Sequence, residues 1–186
     1  MGMSTSHKRW TAAEIDALPA DGNRYEVIDG ERFVTPGPAM VHQRAVLQLA
    51  ALLLPYCEAC GIELMIAPAD VKFGDDDQVQ PDLFVMPRTA DGSSPERFAD
   101  VGRLLLAVEV VSTSSRLIDR GRKRQLYRAH AVPEYWVVDV EARAVERWTL
   151  AAVSETLSDV LLWHPLAETE ANVIDLVAYF RRVCGW

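Results

Sequence analysis

The sequence predicts an α/β fold: a β-hairpin, then a helix, three strands, a second helix and a strand, and finally a β-rich C-terminal extension. One helix is indicated over residues 39–59, where apolar residues recur with helical spacing. The second is indicated over residues 116–130, which follow N-capping serines and end before Pro133. Residues 104–111 form an almost continuous apolar run, which is typical of a buried strand.

The composition is that of an ordinary globular protein. The chain has 186 residues, a formal net charge of −8, 49% hydrophobic residues and 25% charged residues. A chain of this length buries roughly 70% of its unfolded surface on folding, and its apolar content excludes a disordered or fibrous protein. Because no repeat or long linker divides the sequence, we expect a single domain over residues 1–186, with its core at about residues 24–150.

The apolar stretches are too short to span a membrane as a helix, which needs about 20 residues. The longest of them cover residues 47–55 and 104–108. The N-terminal region has a basic pair, Lys8 and Arg9, but no apolar segment of a secretory signal follows it. We therefore expect a cytoplasmic protein that has no membrane partner.

The first elements of the predicted core are a hairpin and a long helix. Residues 24–35 contain two β-prone runs separated by Asp29 and Gly30, a dipeptide that favours the positive φ angles of a tight turn. A Pro-Gly-Pro sequence ends this hairpin. The helix of residues 39–59 follows, and Gly61 is placed to act as its C-cap.

Four β-prone segments come next, separated by turns rich in Gly, Asp, Pro and Ser: residues 63–67, 70–73, 82–86 and 103–111. The last segment is apolar on both faces except for Glu109, so we expect a central strand that is covered on two sides. The hydroxyl groups of residues 112–115 then favour a helix start. After that helix we expect a buried strand, a strand paired with it and a terminal helix, over residues 134–139, 143–150 and 172–182.

The three cysteines, Cys57, Cys60 and Cys184, are an odd number, which fits a reducing compartment. Cys57 and Cys60 form a Cys-x-x-Cys pair, but a structural zinc site needs four ligands and no second pair with suitable spacing exists. Because both end a helix rich in Leu and Ala, we interpret them as packed thiols. The alternative is a thiol redox or zinc protein, which predicts loss of function when both are replaced by serine.

Glu109 is the first candidate for a functional residue. Strand alternation places it on the same face as Leu105, Ala107 and Val111. A carboxylate in such apolar surroundings must be paired with a cation, be protonated or bind a metal ion, because its desolvation is otherwise costly. A buried salt bridge is therefore the structural alternative to a functional site.

Asp82 is the second candidate, because it follows Pro81 at the start of a predicted strand. An aspartate in this position often serves only to accept backbone N–H bonds in a turn. Together with Glu109, 27 positions later, it gains a further interpretation. Two carboxylates on neighbouring strands supply the hard oxygen ligands that Mg²⁺ prefers.

Lys123, on the second predicted helix, is the third candidate. At about 100° per residue, Lys123 shares one helix face with six neighbours: Arg116, Asp119, Arg120, Leu126, Tyr127 and His130. Leu126 and Tyr127 indicate that this face meets the sheet, so Lys123 is expected to point partly inward. There it would meet Glu109, orient a water molecule or contact a phosphate. The alternative is a lysine whose stem packs while its ammonium group reaches solvent.

Five segments give a family resemblance in their order along the chain: RYEVIDGE, VQPDL, VEVVS, GRKRQLY and VPEYWVVD, which begin at residues 24, 79, 108, 121 and 132. They resemble the Uma-type restriction endonucleases, within the PD-(D/E)xK nuclease superfamily, over about residues 24–150. The resemblance implies a restriction-endonuclease-like core of helix, three strands, helix and strand. No single segment is specific, but the ordered series is.

The resemblance also implies roles for individual residues. Asp82 and Glu109 would hold Mg²⁺, for which Mn²⁺ may substitute, and the backbone carbonyl of Val110 or Val111 would complete the protein ligands. The superfamily pattern places its lysine at position 111, which is valine in this chain. In the Uma-type pattern the lysine lies on the helix, at Lys123. The metal ion would activate a water molecule, and Lys123 would add positive charge beside it.

Three further residues are expected near the metal ion or its waters: Glu26, His42 and Tyr127. The alternative for Glu26 is an exposed carboxylate on the hairpin. The alternative for His42, near the start of the first long helix, is a surface or capping histidine.

Positive charge on the second helix points to nucleic acid, although the net charge of −8 repels phosphate at long range. Arg116, Arg120 and Arg124 are candidates for contacts with the DNA backbone. Helical geometry turns Arg122, Arg124 and Arg128 away from the site, so a solvated helix face is the alternative.

The sequence thus favours a Mg²⁺-dependent endonuclease that hydrolyses DNA phosphodiester bonds. Its partner would be duplex DNA, and cutting both strands with one site per chain favours a two-fold homodimer. The rival interpretation is a non-catalytic module that binds nucleic acid or protein, in which Glu109 and Lys123 form only a buried ion pair.

Overall fold

The computed structural model describes residues 8–111, 115–151 and 154–185. The α-helices among them are α1 (Ala12–Asp16), α2 (Met40–Cys60), α3 (Arg116–Ile118), α4 (Arg124–Ala129) and α5 (Leu176–Cys184). The first six strands are β1 (Arg24–Ile28), β2 (Glu31–Thr35), β3 (Ile62–Ile66), β4 (Val71–Gly74), β5 (Asp77–Val79) and β6 (Leu83–Pro87). The others are β7 (Leu106–Val110), β8 (Glu134–Asp139), β9 (Ala144–Thr149), β10 (Ser154–Leu157), β11 (Val160–Trp163) and β12 (Asn172–Asp175).

The central sheet has the strand order β10-β9-β8-β7-β6-β3. β7 and β8 run parallel, and the segment that contains α3 and α4 connects them, whereas the other neighbours are antiparallel. Every residue of β7 and β8 is buried. The predicted central strand is therefore confirmed, although regular pairing begins at Leu106 rather than at residue 103.

A second, four-stranded sheet has the order β2-β1-β5-β4. The predicted hairpin forms its β1–β2 pair, with Asp29 at φ 51° and Gly30 at φ 73° in the tight turn. The strand predicted over residues 70–73 is also present and belongs to this second sheet. It forms β4 and pairs with β5, an unpredicted strand, because the intervening turn folds these two segments onto each other.

Helix α2, the first long helix that the sequence predicted, covers one face of the central sheet together with α5. Its residues Ala45, Leu49 and Leu53 are almost fully buried against the sheet. Gly61 ends the helix with φ 65°, a left-handed conformation that glycine adopts without steric cost. The opposite face of the sheet packs against the four-stranded sheet and α4, and this second apolar layer surrounds Glu109.

The second predicted helix is interrupted. Residues Asp119–Lys123 form a π-helical stretch between α3 and α4, and the helical region ends at Ala129. Of the expected N-capping hydroxyls, Ser115 precedes the helix but makes no side-chain cap bond to it. Residues 112–114 lie outside the described part of the chain. Wide turns of this kind are frequent at functional sites, and here the stretch buries both Asp119 and Lys123.

The predicted terminal helix over residues 172–182 is wrong in its first turn. Asn172–Asp175 is strand β12, paired with β11, because Val173 and Ile174 are β-branched and alternate between exposed and buried positions. Asp175 then starts α5, since its side chain accepts a 2.8 Å hydrogen bond from the backbone N–H of Ala178. Helix α1 was not predicted, although Thr11 and Glu14 form a capping box.

Among residues 8–111, 115–151 and 154–185, the structure contains no helix with the length and apolar character required to cross a membrane.

The packing of α2 predicts unequal effects for two leucines on this helix. Leu53 is fully buried and Leu47 is 63% exposed. We expect Leu53→Ala to lower the free energy of unfolding by about 3 kcal/mol, because it leaves a cavity in the core. Leu47→Ala is the matched control and should change it by less than about 0.5 kcal/mol. Urea denaturation measures both, and equal effects would contradict the packing of this helix.

Candidate functional site

The central sheet brings Asp82 and Glu109 together. Leu83 of β6 pairs with Val108 of β7, so the antiparallel register places Asp82 beside Glu109 where the two strands separate. The backbone N–H of Val110 donates a 2.8 Å hydrogen bond to Asp82 Oδ2. Asp82 and Glu109 are only 3% and 2% exposed, so both carboxylates are buried, as the apolar pattern predicted for Glu109.

Lys123 lies at the centre of a cluster of buried carboxylates. Its Nζ is 2.9 Å from Glu109 Oε1 and 2.9 Å from Glu26 Oε1. Asp119, one turn earlier, is more distant at 3.7 Å. Lys123 is 2% exposed, which excludes the alternative in which its ammonium group reaches solvent.

Glu26 and Tyr127 contact the two central members of this cluster, Lys123 and Glu109. Glu26 Oε1 also accepts a 2.8 Å hydrogen bond from the backbone N–H of Gln80. The Tyr127 hydroxyl donates to Glu109 Oε1 at 3.1 Å. Since Glu26 is only 2% exposed, the alternative of an exposed hairpin carboxylate is wrong. Its position two residues after the start of β1 turns it toward the central sheet, where it reaches Lys123.

Asp82 is held by two basic side chains in addition to the backbone. His42 Nε2 is 2.9 Å from Asp82 Oδ2, and Arg24 Nη2 is 2.9 Å from Asp82 Oδ1. The His42 side chain is 14% exposed and the Arg24 side chain 18%, so neither is a surface group. His42 therefore contacts the predicted metal ligand rather than serving as a surface or capping histidine.

Arg24 and Asp119 are site residues that the sequence analysis did not single out. Each carries a positional signal: Arg24 is two residues before Glu26 on one strand face, and Asp119 is four residues before Lys123. Neither signal specifies a partner by itself, because β1 meets the central sheet only in the folded chain.

A cavity of about 620 Å³ opens onto this cluster. Its charged lining consists of Arg24, His42, Asp82, Glu109, Arg116, Asp119, Lys123, Glu141 and Arg143. Val110 and Val111, the candidate carbonyl ligands, also line it. Glu26 and Tyr127 contact the cluster from the side away from the cavity lining, so they position Lys123 and Glu109 rather than face a ligand directly.

Burial and neighbouring charge shift the pKa values of the carboxylates in opposite directions. Burial raises the pKa of Glu109 well above 4.5, and Lys123 offsets this only in part because Asp82, Asp119 and Glu26 raise it further. Burial would also raise the pKa of Asp82, but the hydrogen bond from His42 and the charge of Arg24 lower it to about 2. Asp82 is therefore the permanently ionised acid, and Glu109 is the acid that binds a proton readily.

The pKa of Lys123 is raised despite its burial. Burial lowers it, but the surrounding acids, Glu109 first and then Glu26, Asp119 and Asp82, outweigh that effect. Lys123 therefore stays protonated, and its ammonium group acts as a fixed positive charge and hydrogen-bond donor.

The donor set fits one divalent cation bound in the manner of Mg²⁺. Four buried carboxylates face two permanent cations, Arg24 and Lys123. When all four acids are ionised and histidine is counted as neutral, two negative charges are left without compensation. Asp82 Oδ1 is buried and has no aligned hydrogen bond within the described residues. No group of three or more His, Cys, Asp or Glu side chains in the described chain forms a ready metal cage. Mg²⁺ needs only one or two carboxylates, because water and phosphate supply its other ligands.

The arginines proposed to contact DNA already have partners in the protein. Arg116 donates to Glu141 Oε2 at 2.9 Å, and Arg120 donates to Glu146 Oε1 at 2.7 Å. Arg124 stacks on the ring of Trp148, 3.4 Å from its centroid. Of these three arginines, Arg116 lines the cavity, whereas Arg124 packs beside β9 on another surface.

The cysteines occupy positions typical of packed thiols. Cys57 is fully buried in the apolar core, and burial raises the pKa of its thiol to about 12. A thiol with this pKa supplies little thiolate for metal binding or redox chemistry at neutral pH. Cys57, Cys60 and Cys184 all have free thiols.

The fold and the buried carboxylate–lysine cluster define a restriction-endonuclease-like protein. The structure is similar to that of a putative nuclease belonging to DUF820 from Anabaena variabilis ATCC 29413, with a TM-score of 0.75 and 16% sequence identity. The alignment covers 93% of this chain and 98% of the other chain. The Uma2 family model, described as "Putative restriction endonuclease", matches residues 12–173, and the chain therefore belongs to this family. A comparison with curated proteins gave no match.

The charge cluster predicts different outcomes for two substitutions that each remove one charge. We expect Lys123→Gln to lower the free energy of unfolding by about 3–5 kcal/mol, because it leaves the buried carboxylates without their cation. Glu109→Gln keeps an oxygen that accepts from Lys123 and removes one uncompensated charge, so it should not destabilise the protein at pH 7. Urea denaturation of both variants without metal measures the difference. A larger loss for Glu109→Gln than for Lys123→Gln would contradict this charge balance.

The raised pKa of Glu109 also predicts a pH dependence. Above pH 4.5, its ordinary value, the unfolded chain releases this proton while the folded protein retains it. The contribution of Glu109 to stability therefore decreases as the pH rises toward its folded-state pKa. Relative to Glu109→Gln, the metal-free wild type should lose stability between pH 4.5 and neutral pH. Thermal unfolding at several pH values tests this, and a constant difference in Tm would refute it.

Proposed function

We propose that the chain is a Mg²⁺-dependent endonuclease that hydrolyses phosphodiester bonds in DNA. The observation that carries the proposal is the excess of carboxylates over cations in the buried cluster, three of whose acids line a large cavity. A site with two uncompensated negative charges favours a divalent cation, and a bound cation is in turn a docking point for phosphate. Membership in the family described as "Putative restriction endonuclease" supports the same proposal.

Asp82 and Glu109 are the proposed metal ligands, together with the carbonyl of Val110 or Val111. Mg²⁺ at these ligands supplies charge stabilisation for the phosphate in the transition state and lowers the pKa of a bound water molecule. Mn²⁺ has similar ligand preferences and is expected to substitute. The hydrogen bonds from Val110 to Asp82 and from Tyr127 to Glu109 fix the two carboxylates before the metal binds.

Lys123 is proposed to orient the attacking water molecule and to stabilise negative charge near the phosphate. It does not act as a general base, because the surrounding acids keep it protonated. Glu26 positions Lys123, since it contacts the ammonium group at 2.9 Å and does not itself line the cavity. In this arrangement the helix-borne lysine performs the role that the superfamily assigns to a lysine at position 111.

The proposed substrate is duplex DNA in the cytoplasm, cut by a two-fold dimer of single-domain chains. Of the three candidate arginines, Arg116 lines the cavity and is therefore the first candidate for a backbone contact there. To bind DNA, Arg120 must exchange its ion pair with Glu146 for a phosphate, and Arg124 must leave the ring of Trp148.

A non-catalytic binding module is the second candidate, and one observation favours it. Arg24 and His42 already contact both carboxylate oxygens of Asp82, and Lys123 already pairs with Glu109. A cluster in which Asp82 and Glu109 already have partners in the protein is compatible with a structural role. Metal binding distinguishes the two, because a structural cluster gains nothing from a divalent cation.

The nuclease proposal predicts metal-dependent nicking of supercoiled plasmid. We expect nicking with Mg²⁺ or Mn²⁺ and none with chelator, and Asp82→Asn should reduce the rate by about 100-fold or more. Gel electrophoresis measures the rate, and circular dichroism checks that the variant folds. Cys60→Ser is the control variant and should retain the wild-type rate, in contrast to the expectation for a thiol-dependent protein.

The binding-module candidate predicts a different result. It expects no nicking under any condition and no rise in Tm when Mg²⁺ is added. That combination would refute the nuclease proposal and leave the cluster as part of the architecture.

A further inference from the structure

Arg24 differs from the other arginines near the cavity in the partner that holds it. Its Nη2 is 2.9 Å from Asp82 Oδ1, the oxygen that has no aligned hydrogen bond. The contact is therefore a charge contact in poor hydrogen-bond geometry. A guanidinium group has five donors in a planar fork, so this contact leaves most of its hydrogen-bonding capacity for other partners.

A second basic side chain lies beside Arg24 in the cavity lining. His42 contacts the other oxygen of Asp82 and lines the same cavity. His42 Nδ1 is buried and lacks a hydrogen-bond partner among the described residues. Arg24 and His42 thus lie beside the proposed metal ligand, where a phosphate bound to the cation would also lie.

We propose that Arg24 is a phosphate-binding residue that exchanges Asp82 for a phosphate oxygen of the nucleic acid when a divalent cation binds Asp82. The inference rests on the proposed function, because it requires both the cation and the phosphate. A divalent cation bound directly to Asp82 repels the adjacent guanidinium group. The phosphate then supplies the negative charge that Arg24 no longer receives from Asp82, and the planar fork of arginine matches two phosphate oxygens.

Arg116 and Arg120 lack this coupling to the metal ligand. Arg116 pairs with Glu141 and Asp139, and Arg120 pairs with Asp139 and Glu146. A cation at Asp82 and Glu109 does not compete for those acids. The contact of Arg24 with Asp82, in contrast, competes directly with metal binding.

The test compares DNA binding of Arg24→Met with that of the wild type, in Ca²⁺ and in chelator. Ca²⁺ is a hard cation that binds carboxylates, and a gel checks that the duplex remains intact. Fluorescence anisotropy at several salt concentrations gives the slope of log K against log salt. Arg122→Met is the matched control, because Arg122 is half-exposed and pairs with Glu31 away from the cavity lining.

In Ca²⁺ we expect Arg24→Met to reduce the magnitude of the salt slope by about 0.9, the value for one phosphate contact with B-DNA. In chelator the slope should equal that of the wild type, because Asp82 then holds Arg24. Arg122→Met should match the wild type in both conditions. Isothermal titration of Mn²⁺ without DNA should show tighter metal binding for Arg24→Met, because the competing cation is gone.

An unchanged slope in Ca²⁺, or an equal change in both conditions, would overturn the assignment of Arg24 while leaving the nuclease proposal intact. If Arg24→Met does not fold, Arg24→Lys replaces it. We expect that variant to keep the slope and to bind DNA about five-fold more weakly in Ca²⁺ only, since lysine keeps the charge without the fork. Wild-type protein that neither cuts DNA nor binds it more tightly with metal would instead refute the proposed function itself, and with it the exchange.

Discussion

The ion cluster centred on Lys123 is the constraint on which the site depends. One ammonium group holds Glu26 and Glu109 at 2.9 Å each, inside a layer of apolar side chains. Charges buried in this way are costly unless they are paired and hydrogen-bonded, so the positions of the strands and helix that carry them are tightly linked. Displacing any one of these elements would leave a buried charge without its partner.

The cluster contains more negative than positive charge, and this imbalance connects structure to function. A cluster that served stability alone would be expected to balance its charges or to be replaced by apolar packing. Here Asp82 and Asp119 add two carboxylates to Glu26 and Glu109. Burial, together with these neighbouring acids, raises the pKa of Glu109. Strain of this kind is frequent at sites that bind a ligand, because the ligand supplies the missing charge.

The fold brings the cluster together through long-range pairing rather than local sequence. Asp82 and Glu109 meet because β6 and β7 are antiparallel neighbours, and the π-helical stretch turns Asp119 and Lys123 to the same side. Glu26 and Arg24 come from the second sheet, which packs on the face of the central sheet that carries Glu109. A strand, a helix and a hairpin thus each supply one part of the site.

The sequence analysis found the residues whose local pattern is anomalous. Glu109 interrupts an apolar strand, and Lys123 lies between apolar positions of a helix, so both could be recognised without a structure. Arg24 and Asp119 interrupt no pattern, because a charged residue is ordinary at a strand start or a helix start. Their roles depend on the packing of β1 and the π-helical stretch against the central sheet, which periodicity does not specify.

The limits of the predicted fold have the same origin. Residues 70–73 were predicted as a strand, but their local sequence does not specify that this strand joins the second sheet. Residues 172–175 combine apolar and polar positions that fit a short strand or a helical turn, and their pairing with β11 decides between them. Boundaries set by local signals, such as Gly61 at the end of α2, were predicted accurately.

The most direct test of the account is to locate a divalent cation in a crystal of the protein soaked with Mn²⁺. Anomalous diffraction should show one Mn²⁺ ion at about 2.1 Å from carboxylate oxygens of both Asp82 and Glu109, with Lys123 still paired to Glu26. A map with no peak at these carboxylates, and with Arg24 and His42 still on Asp82 at saturating Mn²⁺, would contradict the claim that the excess negative charge serves to bind a metal ion.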